Sequence, residues 1–383
     1  MASDHAAGGG DSSQNVEGRG DGVVRCRSGM IKYLGSKRRL VPVLEELLSG
    51  SGAGTALDLF TGTTRVARAF KQMGVFVTAV DTARYSEVFG KCYLELDAAR
   101  VDVAALSEAI ERLNALEGSA GYFAETFSRQ SRFFQPHNAE RVDSIRDLIE
   151  SDYRESWMYP VLLTSLILAA DRVDSTTGVQ MAYVKKWAPR SFKPLELRVP
   201  DLIAGGGRAI RGDAVALVET LGSFDLGYLD PPYNQHRYFT NYHIWETLVA
   251  WDKPDYYGVA CKRVDSRDDT TKSVFNKKRE MPPALAAVIE GVDAHVVVLS
   301  YNNESWIEFE PLVEMMRRRG QVRALAFDSK RYVGAQIGIH NPQGRRVGEI
   351  SHLRNLEYVL VAGDRDLVDR TVEPFADHLV PIS

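Results

Sequence analysis

The stretch GTALDLFTGTTRVARAFKQMGVFVTAVD, Gly54–Asp81, limits the fold more than any other part of this chain. ALDLF reads as a short buried strand, and TGTT as a tight turn. RVARAFKQMG reads as a helix closed by Gly74, and VFVTAVD as a second buried strand ending in Asp81. Strand, glycine turn, helix, strand and acid form a βαβ unit of nucleotide-binding type. A turn of this kind brings backbone N–H groups close to a ligand. The dinucleotide pattern G-x-G-x-x-G is absent, since Thr63 and Thr64 follow Gly62, so a plain structural turn remains open. Asp81 lies 23 positions after Asp58, about the spacing at which such folds place a ribose-binding carboxylate. A helix N-cap before TARYSEV is the alternative for Asp81.

The second constraint is YLDPPYN, Tyr228–Asn234, after the apolar run SFDLG. Two prolines cannot continue a sheet, because each lacks a backbone donor. The chain must leave a strand here, carrying the Asp230 carboxylate and the Tyr233 ring. Ligands bind at the carboxyl ends of strands in open α/β sheets. The carboxylate and the Pro231 carbonyl can accept hydrogen bonds from an amine, and Tyr233 offers a face for stacking a base. The alternative is a Pro-Pro loop with a surface tyrosine; the upstream βαβ unit weighs against it.

The rest of the 383 residues arranges itself around these features. Residues 1–28, rich in Gly, Ser and Asp, read as a disordered arm. LVPVLEELL has helical apolar spacing. From 85 to 205 the helical patterns VAALSEAIERLNAL, AERVDSIRDLIES and WMYPVLLTSLILAADRV follow one another with little strand signal. That segment reads as a helical insertion between two parts, 29–84 and 206–383, of an α/β domain. After SFDLGYLD, the strands AHVVVLSYN, VRALAFD and LEYVLVAG are expected, with DKPDYYGVACKRVDSRDDTTKSVFNKKRE as a polar loop.

A net charge of -4 gives no global sign of nucleic-acid binding, though a local basic surface is allowed. Cys26, Cys92 and Cys261 are isolated, which argues against a zinc knuckle or a disulfide scaffold and fits a reducing cytoplasm. VLLTSLILAA is shorter than the roughly 20 residues of a membrane span, and no secretory signal is read.

Taken together, the motifs resemble the Dam-type, alpha-group adenine-specific DNA methyltransferases that depend on S-adenosyl-L-methionine. KYLGSK resembles the family's aromatic, Gly-rich first motif with its lysine. DLFTGTTRVA resembles F-x-G-x-G, with Thr64 in place of the second glycine. Val80–Asp81 matches the ribose-binding acid, GDA at Gly212–Ala214 the adenine-contacting stretch, and DPPY the catalytic motif. The order of the motifs, with an insertion before DPPY, is that of the alpha group. The resemblance spans roughly residues 30–362, the insertion matching by position only.

The resemblance implies a class I (Rossmann-like) fold, with a mostly parallel seven-stranded sheet and a helical target-recognition insertion. It assigns Phe60 and Gly62 to the methionine part of the cofactor, Asp81 to the ribose and Asp213 to the adenine. A turn acid is the alternative for Asp213. Tyr33 and Lys37 close the same pocket, and Asp58 and Asp230 complete the cofactor set. The reaction implied is methyl transfer to adenine N6 in double-stranded DNA after base flipping. Asp230, Pro231, Pro232 and Tyr233 carry the chemistry, with no metal and no covalent enzyme intermediate. Cytosine N4 methylation and a non-catalytic DNA-binding regulator with this fold are the alternatives.

For DNA contact, VKKWAPRSFKPLELR offers Lys185, Lys186, Arg190 and Lys193 with Trp187 among them. NQHRYFTNYH offers Asn234, His236, Arg237 and Tyr238 beside the flipped base. FNKKRE and MMRRRG are further basic clusters, and charge runs of this kind are usually solvated faces. The sequence leaves open the recognition site, the oligomeric state and a cognate restriction endonuclease acting on the same site. A cytoplasmic, nucleoid-associated location is expected.

Overall fold

In a computed structural model, the structure describes residues 30–35, 37–303, 305–330 and 354–382. The arm expected at 1–28, Cys26 and Ser36 of KYLGSK lie outside the described residues. The opening βαβ unit forms as its pattern demands: β1 (Thr55–Asp58), the helix Arg65–Gln72 and β2 (Phe76–Asp81). β1 and β2 pair in parallel, Ala56 opposite Val77 and Asp58 opposite Ala79.

β3 (Gly207–Arg211) adds in parallel to the outer side of β2. β4 (Phe224–Leu229) then returns to the other side of β1, again in parallel. The strand order therefore reverses between β1 and β4, and their carboxyl ends open a crevice there. A two-stranded ribbon, β5 (Tyr256–Tyr257) and β6 (Lys262–Arg263), stands apart from this sheet. β7 (Ala294–Asn302) extends the parallel row beyond β4. β8 (Gln321–Lys330) and β9 (Arg354–Gly363) complete the far side, with β9 antiparallel between β7 and β8. β10 (Leu379–Val380) is a two-residue antiparallel edge on β8.

The sheet thus has eight strands in the order β10-β8-β9-β7-β4-β1-β2-β3, one more than the seven expected. The extra strand is β10, whose two residues are too short to leave a period-2 signal. The class I architecture stands, with five consecutive parallel strands carrying the crevice.

Alternation along the strands separates two cores. Ala56, Val77, Leu226 and Val296 form one row across the sheet, facing Leu44, Leu47 and Leu48 of the helix Val41–Ser51 and Phe70 of the helix Arg65–Gln72. Their neighbours Leu57 and Val297 face the opposite way, toward Leu285 and Val288 of the helix Met281–Gly291.

Between β2 and β3 the chain is helical, as read: Val103–Asn114, Pro136–Tyr153 and Tyr159–Val173. Their core does not stop at the expected boundaries. Ile31 and Ala83 join it from before residue 85, and Tyr242, Ile244, Trp245 and Leu248 join it from the segment after Tyr233. Arg146, fully buried, donates to the carbonyls of Leu248 and Val249 and fixes that junction. No helix among the described residues is long and apolar enough to cross a membrane.

Candidate active site

A cavity of about 730 Å³ lies at the carboxyl ends of β1, β2, β3 and β4. Tyr33, Lys37, Asp58, Phe60, Gly62, Asp81 and Asp213 line it, as do Asp230, Pro231, Pro232 and Tyr233. Folding thus brings into one wall every residue named from sequence for chemistry or cofactor. Parallel strands end on the same side, so the turn after each one meets the next.

The turn after β1 is held from several directions. Gly62 has φ +53° and donates its N–H to Asp81 Oδ2 at 2.8 Å. Its carbonyl accepts the Ser86 hydroxyl. A Cβ on Gly62 would meet the Tyr33 ring at 3.2 Å, so glycine is needed for both the conformation and the close approach. Thr64 stands where the motif usually has glycine, yet takes the same left-handed region at φ +60°. A β-branched residue there is strained. Asp81 Oδ1 also accepts the Ala83 N–H, and burial holds its carboxyl above the usual range. Asp81 is thus a turn-tying acid, while Ala83, not Asp81, is the helix N-cap.

The corner after β4 is the electrostatic centre. Lys37 Nζ, only 7% exposed, lies 3.0 Å from Asp230 Oδ1 and 3.4 Å from Glu357 Oε2. Burial works against the Lys37 ammonium, but Asp230 and Glu357 outweigh it and hold its pKa well above the ordinary value. Burial raises the Asp230 carboxyl, and Lys37 opposes that rise. Ser300 donates to the same Oδ1 at 3.2 Å and itself contacts the Tyr228 hydroxyl at 2.9 Å. The Tyr233 ring stands edge-on to Tyr301, with centroids 5.6 Å apart. Tyr33 stacks on Tyr242 at 4.5 Å and on Tyr238 at 5.3 Å.

Asp58 differs. Thr61 donates to its Oδ2 at 2.9 Å, but Oδ1 is buried and has no hydrogen-bond partner among the described residues. Burial pushes its carboxyl up to about 7, against the Thr61 hydroxyl and the nearby Ala67 backbone N–H, with Asp230 and Asp81 adding to the rise. An orphaned acceptor on a cavity wall suits a cationic ligand. Phe60 packs edge-on against Phe275 and supplies an apolar wall. These features fit a cofactor with an ammonium group, a ribose and an apolar sulfonium arm. Asp213 caps the short helix Ala214–Leu217 through Val215 and Ala216, so the turn-acid alternative is also realised, on Oδ1 alone.

The DNA-contact candidates fall in two places. Tyr238 lines the cavity, and Asn234, His236 and Arg237 lie in the loop just before it. The Asn276 side chain ties that loop down by donating to the carbonyls of Asn234 and His236. Lys185, Lys186 and Lys193 are exposed, away from the cavity, on a segment anchored by buried Asn138 through Ser191, Lys193 and Leu195. Arg132 covers Trp187 at 4.8 Å. The Arg190 guanidinium is held by buried Asp174 at 2.6 Å, so its charge is already matched. MMRRRG leads into the start of β8, across the sheet from the cavity, and its arginines pair with Glu314 and Glu290 and with the Ala294 carbonyl.

Sequence reasoning missed Ser300, Glu357, Glu246 and the wall built by residues 265–276. Ser300 is a polar residue between apolar neighbours in β7, Glu357 is the one acid of β9, and Glu246 is the one acid of the helix His243–Ala250. That is the one signal they left. Glu246 is 1% exposed, accepts the Arg84 N–H at 2.8 Å and is pushed up to about 7 by burial.

A family model described as D12 class N6 adenine-specific DNA methyltransferase matches residues 33–315, more than half of the chain. Modification methylase StsI of Streptococcus sanguinis is 30% identical over 305 residues, covering 75% of this chain and 46% of that protein. Type II methyltransferase M.NlaIII of Neisseria lactamica is 28% identical over 336 residues, covering 84% and 98%. Type II methyltransferase M.CviAII of Paramecium bursaria Chlorella virus 1 is 27% identical over 320 residues, covering 79% and 92%. The chain therefore spans about half the length of the StsI methylase and nearly all of M.NlaIII. The matched class corrects the Dam-type, alpha-group assignment made from the motifs. The motifs answer to the shared chemistry of cofactor and amine, so they identified the reaction without resolving the class.

Proposed function

From the premise that the chain belongs to the D12 class of N6 adenine-specific, S-adenosylmethionine-dependent DNA methyltransferases, we propose how its own residues carry out that reaction. The observation that carries the reading is the Asp230–Tyr233 corner, facing the same cavity as the Gly62 turn. S-adenosylmethionine supplies an electrophilic methyl group when bound. Phe60 and Gly62 would shape the methionine arm, Asp81 would accept from the ribose and Asp213 Oδ2 from the adenine.

The target amine is a poor nucleophile, because its lone pair is conjugated with the ring. Tyr233 would stack on the flipped adenine, while Asp230 and the Pro231 carbonyl accept its two amine hydrogens. The Lys37 and Ser300 contacts of Asp230 fall on Oδ1, and Oδ2 would accept from the amine. Lys37 would keep Asp230 ionised, since only a carboxylate accepts without donating. Orientation and preorganised charge then supply most of the rate. Residues 85–205 would recognise the target site, with Lys185, Lys186 and Lys193 on phosphates and Asn234, His236, Arg237 and Tyr238 near the flipped base. A cytoplasmic restriction–modification role alongside a cognate endonuclease is the setting proposed, on the likeness to Type II methyltransferases.

The test is methylome sequencing of DNA from a methylation-free host expressing the chain, beside its Asp230→Ala variant. N6-methyladenine at one short motif, absent with the variant, is the expected result. Unmodified DNA from soluble, well-expressed protein would overturn the reading.

A further inference from the structure

Beside the orphaned Asp58 Oδ1, a second polar atom of this wall lacks a partner among the described residues, and it carries the opposite charge. Arg65 lines the cavity, and its Nε is buried without a hydrogen-bond acceptor. Three further observations concern its surroundings. Arg65 opens the helix Arg65–Gln72, whose first turn holds no acid and whose N-cap, Thr64, makes no side-chain capping bond. A cation at a helix N-terminus opposes the helix dipole. Its close charged neighbours are Arg38 and Arg68, which, after burial, push its pKa down further. Arg68 is turned aside onto the Tyr93 ring at 3.8 Å, so it does not relieve that charge. Burial, dipole and like charges all disfavour a cation here, yet arginine cannot shed its proton. An anion brought by a ligand would offset all three.

The ligand must also satisfy Asp58, on the other side of the same Gly62 turn. Asp58 closes β1 and Arg65 begins the next helix, so the turn holds an unmatched carboxylate and an unmatched guanidinium apart. A group with one ammonium and one carboxylate on a single carbon complements such a pair.

We propose that Arg65 holds the α-carboxylate of the cofactor's amino-acid end, with Asp58 taking its α-ammonium group. This rests on the reading of the cavity as the S-adenosylmethionine site. It adds a positioning residue from a position that no motif singled out. A guanidinium can grip a carboxylate through two parallel N–H groups, which fixes its orientation as well as its charge. Anchoring that end would set the direction of the arm that leads toward Asp230.

The experiment is isothermal calorimetry on the full chain with two probes. S-adenosylhomocysteine carries the amino-acid end; 5′-methylthioadenosine lacks it. Wild-type protein, Arg65→Gln and Arg65→Lys are compared, with duplex binding at two salt concentrations as a third readout. Arg65→Gln is expected to weaken S-adenosylhomocysteine about 10- to 100-fold, leave methylthioadenosine within about twofold, and be partly rescued by lysine. Equal weakening of both probes would overturn the proposal, since Arg65 would then only shape the pocket. Unchanged S-adenosylhomocysteine with weaker, less salt-dependent duplex binding would also overturn it, and would assign Arg65 to a DNA phosphate. Failure of the wild-type protein to bind either probe would instead bring down the reading of the cavity itself, and this proposal with it.

Discussion

Asp58 and Asp230 stand at the carboxyl ends of neighbouring parallel strands, β1 and β4, a few residues from glycine and proline turns. Asp58 is buried and Asp230 part-buried, and burial raises both carboxyls. Their surroundings nevertheless differ in kind. Asp230 has a lysine at 3.0 Å and a serine at 3.2 Å, all within the protein. Asp58 has one threonine hydroxyl and an oxygen with no partner among the described residues. The first pairs its carboxylate with a cation and fixes a charge in place before any ligand arrives. The second has no cation beside it among the described residues and calls for a ligand to supply one. A fixed charge suits work on a reacting amine, whereas an unfinished one suits binding.

The largest break in this comparison is expected from Asp230→Ala. Turnover should fall by about 10²–10³ or more, the scale at which removing one preorganised polar contact acts on kcat, while S-adenosylhomocysteine affinity stays within a few-fold. Single-turnover methylation and calorimetry on the same sample decide it, and near-normal turnover would remove Asp230 from the chemistry.

Lys37→Met comes next. Lys37 lowers the Asp230 pKa against burial, so its loss should raise that pKa further, with Glu357 adding repulsion. The acid limb of the rate profile should move to higher pH. Activity would drop most at the acid end of the profile and recover as pH rises. A uniform loss at all pH values would contradict the role given to Lys37.

Asp58→Asn should act on binding. In the wild type, Asp58 titrates near 7 and must be ionised to meet an ammonium. Cofactor affinity should therefore rise with pH by up to about tenfold per unit between pH 5 and 7. The asparagine variant should bind about tenfold more weakly at pH 8 and lose that slope. A slope that persists would place the titrating group elsewhere.

The smallest effect is expected at Asn276→Ala. It removes two neutral hydrogen bonds to the loop after Tyr233, each contributing roughly 1 kcal/mol. Turnover on duplex should fall less than about tenfold, with cofactor affinity unchanged. A matching loss of cofactor affinity would show that the loop supports the whole cavity.

Much of the site was legible because its parts are local. The Gly62 turn, Asp81 and Asp230–Tyr233 are each announced by their immediate neighbours, since glycine, proline and strand-ending acids have restricted uses. Lys37 was legible only as a motif residue; its position between Asp230 and Glu357 joins parts of the chain some 190 and 320 positions apart. Ser300 and Glu246 were hidden for the same reason, being polar residues within largely apolar elements. The polar stretch 265–276 read as an ordinary loop, and nothing in its composition says that it closes a cavity.

By itself, the sequence determined the βαβ unit, the helical segment between β2 and β3 and the chemical identity of the turns. These follow from periodicity and from backbone limits that act over a few residues. Only the tertiary structure decided which charges are matched. Whether a buried carboxylate or guanidinium has a partner depends on side chains brought together from distant elements, and that separates Asp230, already paired, from Asp58 and Arg65, which are not.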